Sequence, residues 1–303
     1  MTRVIFMGTP DYAASILEAL IEAEDVEVVA VYTQPDKPVG RKGVLTPPVV
    51  KVLAESAGIH VIQPTRLRDE AVVSEFLSIE CDMIIVAAYG QILPKAILEY
   101  APCVNLHASI LPQYRGASPI QQSLLNNDSQ SGVTAMWMDE GLDTGSIIQI
   151  ETLPVGPEEM VESLYGRLTD AAVKLTLDVI RHWDRHSAIA QNDSEATHCT
   201  KITKSEGLID FTDAREIYNR YRAFTPWPGI FTESGLKIKE MHLEEENSSG
   251  EPGIIKGIDK ESILVQCARG SLRIMRVQAP SKQETSVVDY LNGKRIGCGH
   301  PLV

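Results

Sequence analysis

The sequence predicts an α/β chain: a doubly wound, mostly parallel sheet followed by a small antiparallel β-barrel. Three observations carry this. From Thr2 to Pro154, short apolar runs alternate with segments whose apolar residues recur at helical spacing, the pattern of βα units feeding a parallel sheet. Beyond Glu206 the pattern changes to short segments of period two separated by Gly, Asn and Asp, as in a small barrel. With 303 residues, 44% of them hydrophobic, the chain can bury a sizeable core and is long for one ordinary domain.

Taken in order, "RVIF" is a short buried strand and "MGTPDYAASILEALIEA" a turn and a helix with one apolar face, followed by the strand "EVVAVYT". The run continues with a helix at "VVKVLAESAG", a strand at "IHVI", a helix at "DEAVVSEFLS", the strand "CDMIIVAAY", a short helix at "PKAILEY" and the strand "CVNLHAS". A helix at "SPIQQSLLNN", a strand at "GVTAMWMD", the turn "EGLDTG", the strand "SIIQIETLPV" and a long amphipathic helix from Glu158 to His186 complete the first part. Near "QNDSEATHCTKITKSEG" polarity rises and periodicity is lost. This places a first domain at 1–188, a linker at 189–205 and a second domain at 206–303. The second domain opens with the helix "DAREIYNRYRAF" and "TPWPG", then runs through "IFTES", "LKIKEMHL", "GIIKGI", "SILVQCA" and "SLRIMRVQAP". In it "LEEENSSGEPG" reads as an exposed hairpin loop.

No apolar run approaches the length of a membrane span, and the N-terminus enters a strand at once, so a soluble cytoplasmic protein with no membrane partner is expected. The five cysteines (Cys81, Cys103, Cys199, Cys267, Cys298) are odd in number, scattered and without a C-x-x-C pair, which indicates neither a disulfide framework nor a zinc site. Sequons at Asn127, Asn192 and Asn247 carry no meaning without a secretory route. The net charge of −13 argues against a polyanionic partner. Its distribution weakens that argument: from Glu206 onward 13 Lys and Arg face 14 Asp and Glu, whereas 15 face 27 before it.

The chemistry gathers in "VNLHASILPQYRGASPIQQ", residues 104–122. Side chains two apart on a strand face the same side, so Asn105 and His107, with Ser109 next in the alternation, project together beyond the strand ends where ligands of such sheets sit. An amide NH₂ can hold a developing oxyanion, and an imidazole can take a proton from an attacking nucleophile. The pair suits attack on a carbonyl. A carboxylate to orient the ring and fix its tautomer is available in "MDEGLDTG", from Asp139 or Asp143.

The run Asn105, His107, Ser109, Leu111, Pro112, Arg115, Gly116 and Pro119, with the later "GLDTG", resembles the formyltransferases that use 10-formyltetrahydrofolate. The likeness runs the length of the chain. "MGTPDYA" and "FTPWPGIF" resemble the branch of that family whose acceptor is methionyl initiator tRNA; Ile110 stands where many relatives have Leu. The resemblance implies a formyltransferase Rossmann-like first domain and an OB-like, tRNA-binding second one. It implies transfer of the formyl group of 10-formyltetrahydrofolate to the α-amine of methionyl initiator tRNA, by a cytoplasmic monomer and without a metal. Asn105 would be the oxyanion donor, His107 the proton relay and Asp143 the residue that orients it. Gln91 and Leu93 of "AYGQILP", the stretch Ser109, Ile110, Leu111 and Pro112, and the loop from Asp139 to Asp143 would line the pterin pocket, with Tyr89 as packing. The loop "QPDKPVGRKGVLTPP", flexible and locally basic, would clamp the tRNA acceptor end through Lys37, Arg41 and Lys42.

Other classes fit less well. A dinucleotide oxidoreductase needs three glycines where "MGTPD" has one. A zinc hydrolase built on His182 and His186 of "HWDRH" lacks the intervening glutamate and a third ligand in a matching motif. Formyl transfer to glycinamide ribonucleotide would leave the second domain unexplained, and a non-catalytic RNA-binding protein would not need Asn105, His107 and Asp143. Transfer to an amino sugar nucleotide is the alternative that both domains allow.

Overall fold

A computed structural model describes residues 1–40, 42–183 and 187–302. The chain forms two compact units: Met1–Pro119 with Gln130–Pro154 and Tyr165–Cys199, and Ile120–Ser129 with Val155–Leu164 and the chain from Thr200 onward.

The first unit is built on β1 (Thr2–Gly8), α1 (Asp11–Glu22), β2 (Val26–Tyr32), β3 (Lys37–Val39), β4 (Val44–Thr46), α2 (Val49–Ser56), β5 (Val61–Ile62), α3 (Glu70–Leu77), β6 (Met83–Ala87), α4 (Lys95–Leu98) and β7 (Cys103–His107). These are followed by β8 (Arg115–Gly116), β9 (Gln130–Trp137), β10 (Ile147–Pro154), most of α6 (Val161–His182) and β11 (His198–Cys199), while α5 (Pro119–Leu125), between β8 and β9 in the chain, falls almost wholly in the second unit. Seven strands make one sheet in the order β10-β9-β7-β6-β1-β2-β5. The five from β7 to β5 run parallel, and β9 and β10 close one edge antiparallel. The winding reverses between β1 and β6, which leaves a crevice beyond their C-termini. Residues Val4–Met7 and Met83–Ala87 are almost wholly buried, as strands covered on both faces must be. The one glycine of "MGTPD" has a packing cause, since a Cβ on Gly8 would lie 2.5 Å from the Cβ of Ala13 on α1. At the crevice the carbonyl of Tyr89 accepts from Thr9 Oγ1 and from Gln34 Nε2, both at 3.1 Å, fastening the loops after β1, β2 and β6 together.

The second unit carries α7 (Ala214–Phe224), β12 (Ile230–Phe231), β13 (Lys237–Ser249), β14 (Ile255–Ile258), β15 (Ile263–Gln266), β16 (Arg269–Gln278), β17 (Thr285–Ser286) and α8 (Val287–Lys294). Its strands form an antiparallel, barrel-like sheet in the order β12-β13-β16-β15-β14, with β17 also on β16. Arg222 of α7 is buried here and donates to Asn127 Oδ1 and Asn219 Oδ1, both at 2.8 Å, and to the carbonyls of Leu124 and Gly156.

Four local expectations change. The charge run "LEEENSS" belongs to β13 and is not a loop, because arginines meet its carboxylates: Arg273 on the neighbouring strand β16 holds Glu244 through two bonds of 2.7 and 2.8 Å, and Arg215 of α7 pairs with Glu246. The basic loop after β2 folds as the small hairpin β3–β4, with Lys37 paired to Thr46 and Val39 to Val44. The stretch read as a linker from 189 is part of the first unit as far as Cys199: Ile189 exchanges two 2.8 Å backbone bonds with Ile147, and β11 pairs in parallel with β8. The long helix ends at His182, and its expected end, His186, lies outside the described residues.

Candidate active site

Asn105 and His107 stand on β7, between β6 and β9, in a strand buried along its whole length. Asp143 comes from the β9–β10 turn. The three meet: Asn105 Nδ2 donates to Asp143 Oδ1 at 3.3 Å, and His107 Nδ1 lies 3.7 Å from the same oxygen. The carboxylate is anchored from the other side by the Gly116 N–H, 2.8 Å from Oδ2. Asp143 has φ of 55°, a left-handed conformation that aspartate tolerates better than most residues.

The ring of His107 is held from two sides. Its Nε2 lies 2.9 Å from the carbonyl of Tyr114, an acceptor only, so that nitrogen donates, and Nδ1 is the nitrogen turned to Asp143. Neither this carbonyl nor the Gly116 N–H could be found from residue types, because main-chain groups carry no residue signature. Gly116 is also sterically required: its φ is 124°, and a Cβ there would fall 2.1 Å from the carbonyl oxygen of Cys199.

Other groups hold the strand end. The Tyr12 hydroxyl donates to the carbonyl of Leu106 at 3.3 Å, and burial pushes its phenol far above the ordinary range. Thr134 Oγ1 donates to the Ser109 carbonyl at 2.7 Å and accepts from the Leu111 N–H at 3.1 Å. Ser109 does not join the trio; its hydroxyl turns to the Gln113 carbonyl at 2.6 Å. Burial pushes the nearby Cys199 thiol up as well.

The residues expected around a pterin fall into two groups. Gln91 turns its amide to the wall, accepting from the Leu67 N–H and donating to the Pro64 carbonyl, each at 2.9 Å, and Leu93 is in the core. Asp139 Oδ1 folds back on its own turn, taking the Gly141 N–H and the Thr144 hydroxyl. Leu111 is buried, while Ile110 and Pro112 are half-buried. In the same two loops Ile92 and Leu142 are apolar side chains left 84% and 63% exposed. Lys95 and Glu140, 3.5 Å apart, bring those loops together. Lys37 and Lys42 are exposed on the β3–β4 hairpin; Arg41 lies outside the described residues. His182 Nδ1 sits 3.1 Å from Asp178 Oδ1, and among the described residues no group of three or more His, Cys, Asp or Glu could hold a metal ion. Among them, too, no helix is long and apolar enough to cross a membrane.

An imidazole, an amide donor and an anchored carboxylate at a strand end are the groups that attack on a carbonyl carbon would use. Residues 2–180 match the formyl transferase family and residues 201–295 the formyl transferase C-terminal domain, so the chain belongs to the formyl transferase family and is a one-carbon transferase. It is 56% identical over 300 residues to the methionyl-tRNA formyltransferase of Sulfurimonas denitrificans, covering 99% of each chain. Against the methionyl-tRNA formyltransferase of Wolinella succinogenes the identity is 50% over 304 residues, covering all of both. Among solved structures, an N-formyltransferase from Helicobacter canadensis, in complex with folinic acid and dTDP-3-aminofucose, superposes with a TM-score of 0.69 at 20% identity, covering 92% of this chain and all of the other. That last likeness is one of fold.

Proposed function

We propose that this chain transfers the formyl group of 10-formyltetrahydrofolate to the α-amine of methionyl initiator tRNA, in the cytoplasm. The acceptor rests on the likeness to relatives of that name over both domains. The observation that carries the chemistry is the convergence of Asn105 Nδ2 and His107 Nδ1 on one oxygen of Asp143.

An amide NH₂ has two N–H bonds. With one held by Asp143, the second is directed in advance at the place where the formyl oxygen gains charge as the amine adds to the carbon. His107 Nδ1 takes the proton the amine loses, its ring held by the Tyr114 carbonyl, and Asp143 stabilises the resulting imidazolium. Collapse of the tetrahedral adduct breaks the bond to N10, and the proton on His107 goes to that nitrogen, so the site is restored. Ile92 and Leu142, with Ile110 and Pro112, offer the apolar cover a flat pterin needs, while the side chains of Gln91, Leu93 and Asp139 shape the wall behind it. Residues 1–188 are taken as the catalytic domain and 206–303 as the tRNA-binding one, with Lys37, Arg41 and Lys42 as an acceptor clamp.

Incubation with 10-formyltetrahydrofolate and either methionyl initiator tRNA or an amino sugar nucleotide tests the assignment. The tRNA is expected to gain the formyl group; formylation of the sugar nucleotide alone would overturn it.

A further inference from the structure

We infer that Gln191 is a positioning residue for the transfer, holding Asp143 in the one backbone conformation that presents its carboxylate to Asn105 and His107; this deepens the proposed reaction and rests on it. Gln191 belongs to the stretch that the sequence offers only as linker. Its Nε2 donates to two main-chain carbonyls of the catalytic turn, that of Asp143 at 2.9 Å and that of Gly145 at 2.8 Å. Its Oε1 accepts from Arg115, from Nε at 3.0 Å and from Nη2 at 2.8 Å. Arg115 is a donor only, so the carbonyl end of the amide must face it and the NH₂ end must face the turn. Arg115 is itself 4% exposed and completes its bonds on Asp193 Oδ1 at 2.8 Å.

A left-handed aspartate persists only where its surroundings over-determine it. Within the turn, Asp139 Oδ1 fixes Gly141 and Thr144, which lie before and after Asp143, and leaves its carbonyl unfixed. Gln191 fixes that carbonyl. On the facing side Gly116, the residue after Arg115, donates to the Asp143 carboxylate. One side chain thereby ties the two segments that grip Asp143.

The test is a double-mutant cycle on single-turnover formylation of methionyl tRNA, with Gln191→Leu, Gln191→Glu, Asp143→Asn and the doubles. Gln191→Leu is expected to slow transfer about 10- to 100-fold while changing KM for either substrate less than about twofold. Gln191→Glu, which keeps both bonds to Arg115 but turns an oxygen on the two carbonyls, is expected to lose as much; should the leucine variant fail to fold, it carries the test. In the Asp143→Asn background either change should cost less than about twofold, because the path runs through Asp143. Wild-type rates in Gln191→Glu, or losses that multiply in full on Asp143→Asn, would overturn the inference while leaving the reaction standing. A wild-type protein unable to formylate methionyl tRNA would overturn the functional reading and this inference with it.

Discussion

The two oxygens of Asp143 are not equivalent. Oδ2 is occupied by the Gly116 N–H, and Oδ1 alone faces Asn105 and His107. An asparagine can adopt the left-handed backbone and can still accept from Gly116, so Asp143→Asn should fold. Its NH₂ would then stand in place of Oδ1, a donor set against the donor of Asn105, and no charge would remain to balance an imidazolium. We expect kcat to fall about 10²- to 10³-fold, with the unfolding free energy within about 1 kcal/mol of wild type. Single-turnover rates and urea unfolding check the two halves; a kcat within a factor of about three would take Asp143 out of the mechanism.

Helix α7 gives a charge-dependent contribution at the scale of an element. Its N-cap Asp213 is buried, takes the Glu216 N–H at 3.0 Å and pairs with Arg269. Burial works to raise its carboxyl pKa, but the helix N–H and the guanidinium outweigh it, and the group sits below the ordinary range. A depressed carboxylate stabilises fully above its unfolded pKa of about 3.9, and the contribution is lost as pH falls through the folded value. Asp213→Asn keeps a capping oxygen and removes the charge. It should cost about 1.5–3 kcal/mol at neutral pH, and the gap should close as pH drops below about 4. Urea unfolding across pH checks this; a gap that stays constant would assign the effect to packing. Helix α7 and the parallel strands were legible, because side-chain period writes them directly. Asn105 and His107 were legible for the same reason. The ties from 189 to 199 were not: Ile189, Thr197 and Cys199 bond through their backbones, and a polar stretch that packs by its main chain reads as a linker.

Across the whole molecule, charge sets how an acidic chain can meet an anionic acceptor. The first 205 residues hold 27 acidic side chains against 15 Lys and Arg. In the second unit Arg215, Arg269, Arg273 and Arg276 each face a carboxylate, so these cations are already neutralised. A screening length of about 8 Å at physiological salt confines the repulsion of the acidic body to its own surface. The β3–β4 hairpin is open to solvent, with Val39, Val44 and Leu45 all more than half exposed and Lys37 and Lys42 exposed. A clamp of about three cations should give a slope of log Kd on log[salt] of about 2 to 3, so that tRNA affinity falls about 30-fold between 50 and 200 mM salt, far less than the 10³-fold or more of a protein making six or more phosphate contacts. Reversing Lys37 and Lys42 to Glu together should weaken tRNA binding and lower that slope by about 2, with KM for 10-formyltetrahydrofolate unchanged. Binding titrations at four salt concentrations measure both quantities. A wild-type slope of about 6 would place the phosphate contacts on another, larger basic face, and an unchanged slope in the double reversal would remove the hairpin from the interface.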